Sequence, residues 1–191
     1  GTLMMPLTLL AITIYWVAFQ LFFFFSSHRF YKLNRDRLIE YIFNPIMAPE
    51  ELKSILDYTQ DSEIESRDEL ENRFTEVRNA YLSDIDAKRR FLLTLVTTAP
   101  LMGLLGTVMG MLTTFSGLAA STGGQTVDQI AAGISEALIT TQTGLIIAIP
   151  AYIMATVILK RRNEMDSCLT TMEALSIQLY EKNLKNLEQV S

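Results

Sequence analysis

From Phe91 to Leu159 the sequence runs for 69 residues with only two formal charges, Asp128 and Glu136. A carboxyl group in such surroundings can hold and release a proton or pair with a passing cation. An ionisable residue within a membrane span reads as functional by default. Oxygen-bearing side chains stand close by: Thr140, Thr141, Gln142 and Thr143, with Thr107 in the preceding apolar run. Their oxygens could contact an ion, but threonines in membrane helices also bond to a carbonyl one turn earlier. Spacing leaves both readings open. It likewise leaves Glu136 either functional or an interfacial carboxylate that ends the apolar run. Other chemistry is not in view. The one histidine, His28, sits beside Arg29 and reads as a surface residue. The one cysteine, Cys168, has no base beside it and reads as a neutral thiol. One Cys and one His argue against a structural zinc site and a disulfide framework. No glycine-rich phosphate loop follows a strand, and no basic patch with interleaved aromatics suggests nucleic acid. The sequence offers no enzymatic constellation.

These residues must be held by membrane helices. The chain has 191 residues, and its 49% apolar content excludes intrinsic disorder. All 16 Lys and Arg fall in two blocks, Arg29–Arg90 and Lys160–Lys185. Three apolar stretches, Leu3–Phe25, Phe91–Leu118 and Ile130–Leu159, reach the length of about 20 residues that a bilayer requires. A removable leader fits the first one poorly: no basic residue precedes it, and Phe22–Phe25 does not resemble a small-residue cleavage site. Basic clusters follow span one (Arg29, Lys32, Arg35, Arg37), precede span two (Lys88–Arg90) and follow span three (Lys160–Arg162). The positive-inside rule puts them all in the cytoplasm, so the N-terminus is expected outside and the C-terminus inside. The expected fold is all-α and polytopic, with three transmembrane helices. Two of them extend into a cytoplasmic helical bundle. Residues 1–28 form the first span and 29–90 a cytoplasmic helical region. Residues 91–159 form a hairpin of spans 91–118 and 130–159 about an outer turn at 119–128, and 160–191 form a cytoplasmic helix.

Local signals refine this. Phe30, Leu33, Arg37 and Tyr41 suggest that the first helix continues past the membrane, until Asn44–Pro49 breaks it. A short helix over Glu50–Tyr58 can start on Pro49. A Ser62-x-x-Glu65 capping box marks the next start. Leu70, Phe74, Val77, Tyr81 and Ile85 form one stripe, and Met165, Leu169, Met172, Leu175 and Leu179 another. Both read as packing between neighbouring helices, with a face for a soluble regulator as the alternative. Gly103, Gly106 and Gly110 on span two, and Gly133, Ala137 and Gly144 on span three, are small residues that let membrane helices approach closely. Pro100 and Pro150 suggest local kinks.

Counting from the basic clusters gives depth. Thr107 lies 17 residues past Arg90, about 25 Å of helix, and Thr141 lies 19 before Lys160, about 28 Å. The two threonines are expected at similar height. Glu136, 24 residues from Lys160, lies about 36 Å away against a hydrocarbon core of about 30 Å. It is expected near the outer mouth, level with Thr114.

Thr98-Ala99-Pro100-Leu101-Met102-Gly103-Leu104-Leu105-Gly106-Thr107-Val108-Met109-Gly110-Met111 resembles the signature APxxGLxGTVxG of the MotA/TolQ/ExbB proton channel family. Ala132–Leu138, then Thr141, Gly144-Leu145 and Ala148–Ala151, resemble its GIxEAL…T…GL…AIPA in the last span. Three spans with a cytoplasmic helical insert are most similar to the ExbB and TolQ branch. The resemblance implies a homopentamer in the bacterial inner membrane around a dimer of single-span ExbD- or TolR-like partners. A membrane aspartate of the partner titrates, and a TonB- or TolA-like protein receives the work. It makes Thr107 and Thr141 pore-lining and gives Glu136 a place in the ion pathway, with Thr140 and Gln142 beside them. The coupling ion is the proton, and no resident cofactor is implied. The stretch Thr140–Thr143 is more polar than the family's usual small apolar neighbours, which keeps sodium open. Interhelical hydrogen bonding is the preferred account of that polarity. A TolQ-like role in the Tol-Pal system, and a non-conducting membrane scaffold, are the alternatives.

Overall fold

The computed structural model describes residues 3–27, 35–59, 66–120 and 126–190. Every regular element among them is helical: α1 (Met4–Ser27), α2 (Arg35–Phe43), a 3₁₀ turn (Pro45–Met47), α3 (Glu50–Thr59), α4 (Arg67–Ala120) and α5 (Thr126–Val190). Three of these, α1, α4 and α5, are long and apolar enough to cross a membrane. The chain divides into two compact units, Gly1–Phe22 with Lys88–Val157, and Phe23–Ala87 with Ile158–Ser191.

The break at Asn44–Pro49 and the start of α3 at Glu50 follow the proline signals. The expected outer turn is shorter than 119–128, because α4 runs to Ala120 and α5 starts at Thr126. Val127 and Asp128 fit the first turn of a helix, where a carboxylate complements the dipole. The Ser62-x-x-Glu65 box and His28 lie outside the described residues, as do Phe30 and Leu33. Helix α4 is capped instead by Ser66, whose Oγ accepts the Glu69 N–H at 3.2 Å. Both α4 and α5 are continuous through Pro100 and Pro150.

Burial shows why the long helices pair. Along α5 the inward positions are Ala137, Thr140, Gly144, Ala148, Ala151, Ala155, Ile158, Met165, Leu169, Met172 and Ser176. Most fall on a seven-residue repeat, the spacing that keeps one seam facing a partner helix. Residue size changes along it: Ala, Gly and Thr dominate before Ile158, and Met and Leu dominate after it. On α4 the order is reversed: Leu70, Phe74, Val77, Leu82 and Ile85 are buried first, then Ala99, Gly103 and Gly106. In water, burying large side chains drives pairing. In lipid, close backbone approach through small residues does so.

Within the second unit, an ion-pair ladder ties α4 to α5. Arg162 donates to both oxygens of Asp86, at 3.0 and 2.8 Å, and to Asp166 at 2.8 Å. Arg78 reaches Asp166 at 3.4 Å and Glu173 at 2.8 Å. The Asp86 carboxylate holds the Arg162 guanidinium more firmly protonated than usual. Cys168 is buried, and desolvation pushes its thiol up to about 11.

That thiol gives a pH prediction. Its neutral form is favoured in the fold, so this contribution to stability is present below the unfolded thiol value of about 8.5 and is lost as pH rises toward 11. At pH 8, iodoacetamide should label Cys168 in the folded protein at least about a hundredfold more slowly than in the detergent-denatured chain. Equal rates would mean that the thiol is not buried.

Candidate functional site

Within the first unit α4 and α5 run antiparallel, and their glycines show how closely. A methyl group on Gly144 would lie 2.8 Å from the Ala99 carbonyl oxygen. On Gly103 it would lie 3.0 Å from the Thr141 Cα, and on Gly106 2.8 Å from the Thr140 Cβ. On Gly110 it would lie 3.1 Å from the Ala137 Cβ, and on Gly133 3.0 Å from the Thr114 Cβ. The small residues singled out in the sequence therefore all lie along one contact. Helix α1 joins the same unit through the Tyr15 hydroxyl, which donates to the Ile147 carbonyl at 3.3 Å.

This contact positions the hydroxyls. Thr141 is half-buried and donates across the helix pair to the Gly103 carbonyl at 3.0 Å. Thr107 is half-buried and donates to Leu104 at 2.7 Å. Thr140 is 4% exposed, donates to Ala137 at 2.7 Å and fills the space left by Gly106. Thr140 is thus a packing residue in this chain and does not share a face with the exposed polar groups. Each hydroxyl has committed its one proton to a backbone carbonyl. It offers a visitor only lone pairs. Such a site accepts a hydrogen bond from a protonated carboxyl, or touches a cation, but gives nothing to a carboxylate.

Glu136 and Gln142 are exposed on the chain. At 100° per residue they are about 120° apart around α5, so they do not form one cluster. Thr143 is two turns after Glu136 on nearly the same side, and donates to Ile139 at 2.8 Å. The polar stretch Thr140–Thr143 already contained it, and the 3.6-residue period adds that it shares the side of Glu136.

The register corrects the depths. Thr141 lies against Gly103, one helical turn from Thr107 rather than level with it. Thr114 lies against Gly133, so Glu136, three residues further along the antiparallel α5, is about 4.5 Å from the level of Thr114 on the side toward Gly110. The count from the basic clusters assumed that each span starts at its last cation. The interlocking of glycine with threonine and alanine sets a different register.

With this geometry in place, comparison with known proteins places the chain. The model of the MotA/TolQ/ExbB proton channel family matches residues 38–171. Over shorter stretches the chain is similar to biopolymer transport protein exbB1 of Vibrio cholerae, 51% identical over 61 residues, 31% of this chain and 27% of that protein. It is 42% identical over 77 residues to putative biopolymer transport protein ExbB-like 1 of Synechocystis, covering 39% and 30%. It is 46% identical over 69 residues to the Tol-Pal system protein TolQ of Pseudomonas aeruginosa, covering 36% and 29%. The matched stretches thus span less than a third of each of these relatives.

The seam makes a prediction with its own control. In Gly144→Ala the new methyl meets a backbone oxygen that cannot rotate away, so the helices must separate at a cost of about 1–3 kcal/mol. Gly117 has nothing within 4 Å, so Gly117→Ala should leave stability unchanged or raise it by up to about 1 kcal/mol. Thermal unfolding of both variants in lipid nanodiscs, followed by circular dichroism, measures the difference. Equal midpoints would contradict the seam.

Proposed function

We propose the following function for this chain, which belongs to the MotA/TolQ/ExbB proton channel family: it is the ion-channel subunit of an ExbB–ExbD-type motor in the bacterial inner membrane. The motor converts the proton motive force into mechanical work on a TonB-like protein for outer-membrane transport. The supporting observation is the pair of acceptor-only hydroxyls at Thr107 and Thr141, held on a close-packed helix pair that also carries the exposed carboxyl of Glu136.

The chain assembles as a homopentamer, N-terminus periplasmic and C-terminus cytoplasmic, around two single-span partners of the ExbD or TolR kind. The partner's membrane aspartate carries the titrating group. When protonated, it donates a hydrogen bond to a threonine hydroxyl whose own proton is already used. When ionised, it loses that contact and meets the field of Glu136. Protonation therefore changes which arrangement of the partner helices is preferred. A unit charge crossing the membrane gains about 2.3 kcal/mol per 100 mV, which biases the exchange in one direction. The partner dimer shifts or turns inside the pentamer, and the motion is passed on.

A second reading, a TolQ-like role in the Tol-Pal system, has the TolQ relative in its favour. Sodium coupling rests on the oxygens of Thr140–Thr143. It is weaker here because Thr140 is enclosed. A non-conducting scaffold would also use the cross-helix bond of Thr141, but it leaves exposed Glu136 and Gln142 without a role.

Ion flux separates these. The chain and its single-span partner, reconstituted in liposomes under an imposed pH gradient, should conduct protons. Glu136→Gln and Thr141→Val should retain the assembly and lose at least about tenfold of the flux, the scale of one lost 1.4 kcal/mol contact in the pathway. No flux from the unaltered complex would support the scaffold, and unchanged flux in both variants would remove Glu136 and Thr141 from the pathway. Flux that requires sodium would move the coupling ion.

A further inference from the structure

Tyr152 carries a hydroxyl that the first unit's own packing does not use. Thr107 and Thr141 have each given their proton to a backbone carbonyl, and the Tyr15 hydroxyl is spent on Ile147. Tyr152 makes no hydrogen bond among the described residues and is 55% exposed.

Its position along α5 is specific. Tyr152 follows Thr141 by eleven residues, three helical turns, so the two stand on one face. Leu145, on the same face between them, is exposed as well. Pro150 does not rotate this face away. Helix α5 is continuous through it, and Gly144 and Ala151, seven residues apart across the proline, are both buried in the seam. The opposite flank of α5 is occupied. Ile147 is buried there, and its carbonyl accepts the Tyr15 hydroxyl of α1. Ile147 is about 120° around the helix from Thr141 and about 140° from Tyr152. Helix α1 therefore leaves the face of Thr141 and Tyr152 open.

The hydroxyl needs a polar environment on that face. A tyrosine at a membrane surface turns its hydroxyl to the headgroups. Aromatic side chains on a helix lean toward its N-terminus, which for Tyr152 is away from Lys160 and the cations that follow the span. A hydroxyl left in hydrocarbon without a partner is costly. Where Thr141 faces the central partner, Tyr152 faces the same interior, three turns nearer the Lys160 end. A phenol with its proton uncommitted can donate and accept together, which the two threonines cannot. It can therefore hold water that both takes and passes a proton.

We propose that Tyr152 lines the part of the ion pathway between Thr141 and the Lys160 end, where its hydroxyl holds the water through which protons leave the partner's carboxyl. This rests on the reading of the chain as a channel subunit and adds a residue to its pathway.

Two measurements on the full chain with its single-span partner test it. In liposomes, Tyr152→Phe should keep the assembly and lower proton flux at least about fivefold, the scale of one lost hydrogen bond. In a Cys168→Ala background with a cysteine-free partner, Tyr152→Cys should react with a small water-soluble methanethiosulfonate at least about tenfold faster than Ile153→Cys, its exposed neighbour on another face. Full flux in Tyr152→Phe, or equal labelling of the two cysteine variants, would overturn the inference while the unaltered complex still conducts, and would leave the channel reading standing. An unaltered complex that conducts nothing would overturn both.

Discussion

The arrangement depends on one contact, the backbone approach of α4 and α5 where Gly103, Gly106 and Gly144 face Thr141, Thr140 and Ala99. A lipid environment gives helices no hydrophobic reason to associate, so contact area and hydrogen bonds must do it. Glycine supplies the contact by letting the backbones meet. The same closeness brings the Gly103 carbonyl within reach of the Thr141 hydroxyl. Packing and chemistry are therefore not separable here, because the contact that holds the helices also fixes which way the hydroxyl proton points. It leaves the threonine oxygens as acceptors and leaves Glu136 and Gln142 on exposed flanks of α5.

The second unit solves the same pairing problem with other means. Its seam is made of Leu, Phe, Val, Ile and Met, and its edge is closed by Asp86, Arg162, Asp166, Arg78 and Glu173. These side chains are partly open to solvent, so each pair contributes modestly and the network acts chiefly on register. Arg162 holds Asp86 with two parallel bonds, a geometry that tolerates no slip of one helix along the other.

The helical class and the three apolar helices were legible because lipid and water sort residues so sharply. Proline fixed the start of α3, and small residues marked the contact that forms. Four things were not legible. The register between α4 and α5 differed by about a turn, because charges mark where a span meets water and not where two helices interlock. Thr140 and Thr141 are adjacent and chemically alike, yet only the rotation of α5 decides that one is enclosed and the other half-open. The seven-residue repeat of α5 passed unseen because its small half and its large half look unlike each other. The cap at Ser66 is a Ser-x-x-Glu box like the one read four residues earlier, and local sequence does not choose between them.

The central claim is that this helix pair surrounds a partner whose carboxyl its threonines receive. Native mass spectrometry of the complex extracted from cells expressing the neighbouring genes tests it most directly. The account predicts five copies of this chain bound to two copies of a single-span protein with a carboxylate in its membrane segment. An assembly of this chain alone, or with a partner that has no such carboxylate, would contradict it.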